Sequence, residues 1–272
     1  MTDPGVNLER LRALRAPTHN SRLIQERIES HLEAHDGYVA LSGGKDSLVV
    51  LDFARQVDPN VPVVFFDSGL EFPETYTYLA DLQQTWQLNL ELIPATTPLL
   101  NILITDGSWD HHALEYRTPS LHQALIAEPS ASAHISHGPG ELWGVRASES
   151  RGRRIAYNIA LSAETCTCCH DAVAHRAHHG GIIRRENGTV AFSPIWDWTD
   201  PQVWSHIACR HLPVNPVYDR LRSMGVPQND LRISHILDAD HLDHGRAVWL
   251  KYGWPDLYER LRQLLPRLAE HL

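Results

Sequence analysis

The sequence predicts an α/β protein: a doubly wound, mostly parallel sheet preceded by N-terminal helices and followed by a helical C-terminal region. Three observations predict it. The apolar run Tyr38-Val39-Ala40-Leu41 ends in Ser42-Gly43-Gly44-Lys45-Asp46-Ser47, and Leu48-Val49-Val50-Leu51 opens a helical pattern at once. Apolar strands then alternate with helical stretches, the signature of right-handed βαβ units with helices on both faces. Hydrophobic content of 43% and charged content of 21% are those of an ordinary globular chain. The 272 residues divide into a helical preface at 1–36, an α/β domain at 37–220 and a helical extension at 221–272.

In chain order, Leu8, Leu11 and Leu14 are spaced for a first helix, which Pro17 ends. A second follows at 21–35, with Asn20 as N-cap and Ile24, Ile28 and Leu32 on one side. After the strand at Tyr38, residues 61–66 read as a second strand, 72–87 as a helix and 89–93 as a third strand. Residues 94–98 are a loop, 105–118 are polar and irregular with a His111-His112 pair, and 119–127 are helical. Ser, His, Pro and Gly make 128–140 read as a flexible loop. A fourth strand at 141–145 leads into a helix through Ala163. Residues 182–185 and 189–192, joined by Glu186-Asn187-Gly188, read as a hairpin. Thr199 and Gln202 have capping-box spacing for the next helix.

The loop after the first strand offers glycines that admit an anion, a helix N-terminus and a full charge on Lys45, so its expected guest is a nucleotide polyphosphate. It lacks the Walker A spacing. In such sheets ligands bind at the carboxyl ends of strands, which places Ser42 and the residues after Phe66 together. A formal charge of −9 argues against a protein that coats nucleic acid alone. No apolar run reaches membrane-span length, and the first 20 residues lack a signal-type segment, so a cytoplasmic protein without membrane contact is expected. Four arginines lie between Arg146 and Arg154, with Glu149 as their one nearby carboxylate; Arg146 is the expected anion binder. Asp67, ending the second strand, either accepts hydrogen bonds from a bound nucleotide or caps the next helix.

Ser42-Gly43-Gly44-Lys45-Asp46-Ser47 resembles the PP-loop of the ATP pyrophosphatases. Phe65-Phe66-Asp67-Ser68-Gly69 with Phe72-Pro73-Glu74-Thr75, and Trp143-Gly144-Val145-Arg146, resemble two further signatures of the PAPS reductase family. The segments from Phe192 to Thr199 and from Leu212 to Tyr218 are similar to the family's C-terminal part, their aromatic residues reading as packing. The resemblance implies an adenine nucleotide α-hydrolase-like fold and ATP with Mg²⁺. Ser42 to Ser47, Asp67, Ser68, Gly69, Gly144 and Arg146 would bind the nucleotide. Lys45, Asp46 and Arg146 would act in catalysis, with Asp46 on the metal.

The chain departs from the sulfonucleotide reductases in having no cysteine after Cys209, where they carry a tail thiol. Cys166, Cys168 and Cys169 remain as candidate catalytic thiols, either carrying persulfide or holding an iron-sulfur cluster or zinc with Cys209, His175 or His179. Incidental buried thiols are the third alternative. The resemblance is greatest in kind to the ATP pyrophosphatase component of DNA phosphorothioation systems. It implies a cysteine desulfurase or other persulfide donor, DNA met through a multi-protein complex, and room for a homodimer. Sulfate assimilation, by sulfonucleotide reduction or as the small subunit of ATP sulfurylase, is the alternative, and a non-catalytic nucleotide-binding subunit is another.

Overall fold

The computed structural model describes residues 21–106, 121–166, 169–234 and 245–272. The first predicted helix, Asn20, the His111-His112 pair and Cys168 lie outside them. A six-stranded sheet runs in the order β3-β2-β1-β4-β6-β5, from β1 (Tyr38–Ala40), β2 (Pro62–Asp67), β3 (Asn89–Pro94), β4 (Gly140–Leu142), β5 (Ile182–Arg184) and β6 (Val190–Phe192). All pairs are parallel except β5 with β6, where Ile183 faces Ala191 in the predicted hairpin. The order reverses at β1, with Val39 opposite Val63 on one side and Leu142 on the other. Ligands of open α/β sheets bind at such a switch point.

Strand periodicity divides the core. Val39, Val63, Phe65, Leu142 and Phe192 belong to a large apolar cluster on one face, while Tyr38 and Val64 pack with Ala133 on the other. The large cluster takes Ile24 and Ile28 from α1 (Ser21–His35) and Leu48 to Leu51, Phe53 and Ala54 from α2 (Lys45–Val57). It continues through Leu79 and Leu82 of α3 (Pro73–Trp86) to Leu261 and Leu268 near the C-terminus. The helices flanking the sheet segment therefore share its core.

One helix is added to the expected elements and one expectation is corrected. A short helix, α4 (Leu99–Asp106), follows the loop at Pro98; Leu99, Ile102 and Leu103 are buried at helical spacing. Residues 128–140 are not a loop. Residues 121–137 run as one helix, with a π turn at Gln123–Ala127 and α5 at Glu128–His137. Pro129 has no N–H and its ring crowds the preceding turn; the π turn, where Glu128 N–H reaches Gln123 O, takes up that misfit. The buried Ala133 then anchors α5 beneath Tyr38 and Val64.

Beyond β4 lie α6 (Arg151–Ala163), capped by Ser150, and α7 (Ala172–His179), capped by Asp171. Next is α8 (Asp200–Arg210), begun by the predicted capping box of Thr199 and Gln202, and then α9 (Val217–Ser223). Helices α10 (Arg246–Gly253) and α11 (Pro255–Leu264) close the chain with a 3₁₀ turn at Pro266–His271. Among the described residues, no helix is long and apolar enough to cross a membrane.

Candidate functional site: a charged cradle at the strand switch

The loop between β1 and α2 is a built turn. Gly43 has φ +73°, a left-handed conformation that favours glycine. Ser47 Oγ donates to Gly44 O and accepts from Ser42 N–H, each at 3.1 Å, while Ser42 Oγ lies 3.1 Å from the same hydroxyl. The buried Tyr218, at the start of α9, accepts the Lys45 N–H at 3.1 Å through its hydroxyl. Asn215 donates to Thr75 Oγ1 at 3.1 Å and lies 3.5 Å from Gly43 O, tying the loop to α3.

The second arm follows β4. A Cβ on Gly144 would stand 2.5 Å from Ser47 N, so only glycine lets the chain pass this close to the start of α2. Tyr157 of α6 donates its hydroxyl to Val145 O at 2.7 Å and fixes the segment. That contact delivers Arg146 beside the loop.

Four charges meet there. Lys45 Nζ lies 2.8 Å from Asp46 Oδ2 and 3.0 Å from Asp200 Oδ1. Arg146 Nε lies 2.7 Å from Asp46 Oδ1, and its Nη2 3.0 Å from Asp200 Oδ1. Arg146 also donates to Ser148 Oγ at 3.0 Å and Trp198 O at 3.1 Å. Buried in this way, Arg146 braces both carboxylates beside the loop. The other Asp200 oxygen accepts from Trp204 Nε1 at 3.1 Å and Gln228 Nε2 at 3.2 Å. Burial works to lower the Lys45 pKa, but the Asp46 and Asp200 carboxylates outweigh it and raise the value. Burial likewise works to raise Asp200, while Lys45 and Arg146 draw it down. The ammonium and the carboxylate thus hold each other charged at neutral pH.

One further ion cluster sets the register of the helices that carry these groups. Asp52 of α2 is buried; it lies 2.9 Å from His206 Nε2 and receives two bonds from Arg210, each at 3.1 Å, both from α8. Two turns beyond Lys45 on one helix therefore meet two turns beyond Asp200 on the other.

The Asp67 turn is self-contained. Asp67 Oδ1 accepts from Gly69 N–H and from the Tyr76 hydroxyl, both at 2.8 Å, and the helix that follows begins at Pro73 without a side-chain cap. Ser68 donates to Glu71 Oε1 at 2.6 Å, and burial pushes the Glu71 carboxyl up to about 7 against that bond. Gly69 takes φ +74°. Elsewhere, Arg151, Arg153 and Arg154 are exposed on α6, with Arg153 paired to Glu149 as the spacing allows.

Of the predicted thiols, Cys166 and Cys169 come together with sulfurs 3.7 Å apart, and His179 joins them. Cys209, on α8, is not part of that group, and His175 spends its Nε2 on Leu161 O. Sequence reasoning missed Asp200, Asn215, Tyr218 and Glu71. Asp200 was legible only as a helix start, and Asn215 and Tyr218 only as loop and core packing.

Over residues 37–226 the chain matches the phosphoadenosine phosphosulfate reductase domain family. It is 26% identical over 217 residues to phosphoadenosine 5'-phosphosulfate reductase of Xanthomonas oryzae pv. oryzae (strain PXO99A), covering 78% of this chain and 79% of that protein. It is 22% identical over 187 residues to adenosine 5'-phosphosulfate reductase of Pseudomonas aeruginosa (strain LESB58), covering 67% and 61%. Among solved structures it is similar to phosphoadenylyl-sulfate reductase from Candida auris in a phosphate complex, with a TM-score of 0.49, 17% identity, and 80% and 93% of the two chains covered. Both curated relatives carry reductase names, the activity that the sequence places second to sulfur transfer. The matched span contains the whole sheet and both arms of the cradle, and the chain belongs to the phosphoadenosine phosphosulfate reductase domain family.

Proposed function

We propose that this chain is an adenine-nucleotide enzyme of sulfur chemistry whose substrate class is adenylyl or phosphoadenylyl sulfate. The observation that carries the reading is the convergence of Lys45 and Arg146 on Asp46 at the β1–β4 switch point of a chain in this family. In this reading Lys45 and the glycine loop hold the phosphate that bears the sulfate, and Arg146 keeps Asp46 and Asp200 turned onto Lys45. A thiolate attacks the sulfur, the bond from sulfur to the phosphate oxygen breaks, and the nucleotide leaves. A dithiol of the thioredoxin class then releases sulfite and ends as a disulfide. The reductase names of the curated relatives support this reading.

A second reading is favoured by one specific observation. Two cations meet two carboxylates, so the cradle is close to neutral before a polyanion arrives. Mg²⁺ held by Asp46 would join those carboxylates to ATP, as a hard cation binding oxygen. Cleavage between the α and β phosphates then adenylylates an acceptor and releases pyrophosphate, and a sulfur nucleophile displaces AMP. DNA phosphorothioation, supplied by a cysteine desulfurase, is the form of that chemistry the sequence resembles.

One assay separates the readings. The chain is incubated with each sulfonucleotide plus thioredoxin and reductant, and separately with Mg·ATP, and sulfite and pyrophosphate are quantified. Sulfite supports the first reading. Pyrophosphate without sulfite supports the second. Neither product, with nucleotide still bound, identifies a non-catalytic binding subunit and overturns both.

A further inference from the structure

Taking the loop between β1 and α2 as the nucleotide's phosphate site, on which this inference rests, we propose that Tyr218 is a phosphate-binding residue. Its hydroxyl donates to an oxygen of the phosphate that Lys45 holds. Helix α2 begins with Gly44 as its N-cap and with no side-chain cap, so the main-chain donors of its first turn lack a local acceptor. Tyr218, 173 residues beyond Lys45, supplies one from the side: its hydroxyl accepts the Lys45 N–H at 3.1 Å. A phenol hydroxyl carries a donor as well as acceptor lone pairs. Among the described residues the Tyr218 O–H has no acceptor, although the residue is only 3% exposed. A buried donor left unspent costs free energy, and an acceptor arriving beside it removes that cost.

Gly44 shows where that acceptor fits. Its φ of −85° is open to any residue, so the backbone conformation does not call for glycine there. The surrounding space does. A Cβ would stand 3.3 Å from Ser42 Oγ, 3.4 Å from the Tyr218 hydroxyl and 3.7 Å from Ile233 Cδ1. Two hydroxyls and one methyl group therefore bound a niche over the helix start, next to Lys45, and Ser42 on its rim is exposed.

A phosphate oxygen over Gly44 would accept from the Tyr218 O–H while the same hydroxyl goes on accepting from the Lys45 N–H. Each bond polarises the next, so the loop amide acts on the anion through the phenol. Burial raises the hydroxyl's pKa against the pull of Lys45, so the group keeps its proton and remains a donor. The ring packs edge-on to Trp204 with centroids 5.6 Å apart, a contact that does not involve the hydroxyl. Tyr218→Phe therefore removes one donor and keeps the packing.

The test uses the full chain with adenosine 5'-monophosphate and adenosine as probes, two ligands that differ by the phosphate alone. Tyr218→Phe should weaken the monophosphate about tenfold or more, the scale of a hydrogen bond to a charged group, and leave adenosine as the parent binds it. Tyr38→Phe deletes a buried hydroxyl on the other face of the sheet and should bind both probes as the parent does, which separates contact with phosphate from the general loss of a buried hydroxyl. With 3-fluorotyrosine in place of Tyr218, the fluorine resonance should shift with the monophosphate and not with adenosine, a readout that survives even if the phenylalanine variant misfolds. A folded Tyr218→Phe variant that binds the monophosphate as tightly as the parent overturns the inference and leaves the nucleotide reading standing. So does a fluorine resonance that stays in place while the chain binds the monophosphate. A parent chain that binds neither the monophosphate nor Mg·ATP overturns both.

Discussion

Asp200 Oδ1 stands 3.0 Å from Lys45 Nζ, joining the start of α8 to the start of α2. The same oxygen is 3.0 Å from Arg146 Nη2, so a single carboxylate connects the arm after β4 to the loop after β1. Neutralising it should have two separable effects. Asp200→Asn should lower stability by about 1 kcal/mol, a modest value because the carboxylate is 38% exposed. It should also make the cradle more positive, tightening metal-free sulfonucleotide and weakening Mg·ATP. Calorimetric titration with both ligands checks the split, and equal changes for the two would contradict it.

Asp52 holds His206 and Arg210 from within the core and sets the register of α2 against α8. Asp52→Ala should destabilise the chain by about 1–3 kcal/mol, because it leaves the buried His206 without its carboxylate partner, while the half-exposed Arg210 can turn to water. Denaturant unfolding measures this. Nucleotide affinity should fall in the same variant even under conditions where it remains folded, because Lys45 and Asp200 lose their alignment.

Gly144→Ala should be damaging although the change is a single methyl. Its Cβ would meet Ser47 N at 2.5 Å, a backbone atom that cannot rotate aside. The expected cost is about 1–3 kcal/mol together with weaker nucleotide binding, whereas Gly152→Ala, whose Cβ comes no nearer than 3.9 Å to another group, should leave both as they are. Parallel melting and binding curves decide between packing at Gly144 and a general effect of removing glycine.

The architecture and the phosphate-type loop were legible because each is written locally. Alternation of apolar strands with helices specifies the sheet, and Gly43 specifies its own left-handed turn. The helix at 128–137 was not legible, because Pro129 and the Ser- and His-rich composition mask a helix whose stability comes from burying Ala133 against the sheet. The cradle was half legible. Lys45, Asp46, Gly144 and Arg146 sit in motifs, but Asp200 and Tyr218 reach the loop only through tertiary packing, from positions whose local roles are a helix start and a core aromatic. The sequence shows an arginine cluster, and only the fold shows that Arg146 meets Asp46 and Asp200 while Arg153 meets Glu149.

The Glu71 carboxyl gives a pH signature. Its folded pKa, pushed up to about 7 by burial, lies above its ordinary 4.5, so the stability tied to its protonated form is fully present below pH 4.5. That contribution is lost as pH rises through about 7. Melting temperature across this window should therefore fall more steeply for the parent chain than for Glu71→Gln. Parallel curves would show that Glu71 does not titrate there.

The central claim is that nucleotide phosphate sits on the Ser42 to Ser47 loop with Lys45 as its cation. The most direct measurement is equilibrium binding of adenylyl sulfate and Mg·ATP to the parent chain and to Lys45→Ala, with folding of the variant confirmed by its melting curve. Loss of the ammonium should weaken the bound nucleotide about a hundredfold or more, the scale of removing a charge-assisted contact from a partly buried site. A folded Lys45→Ala variant that binds both ligands as tightly as the parent would contradict the claim.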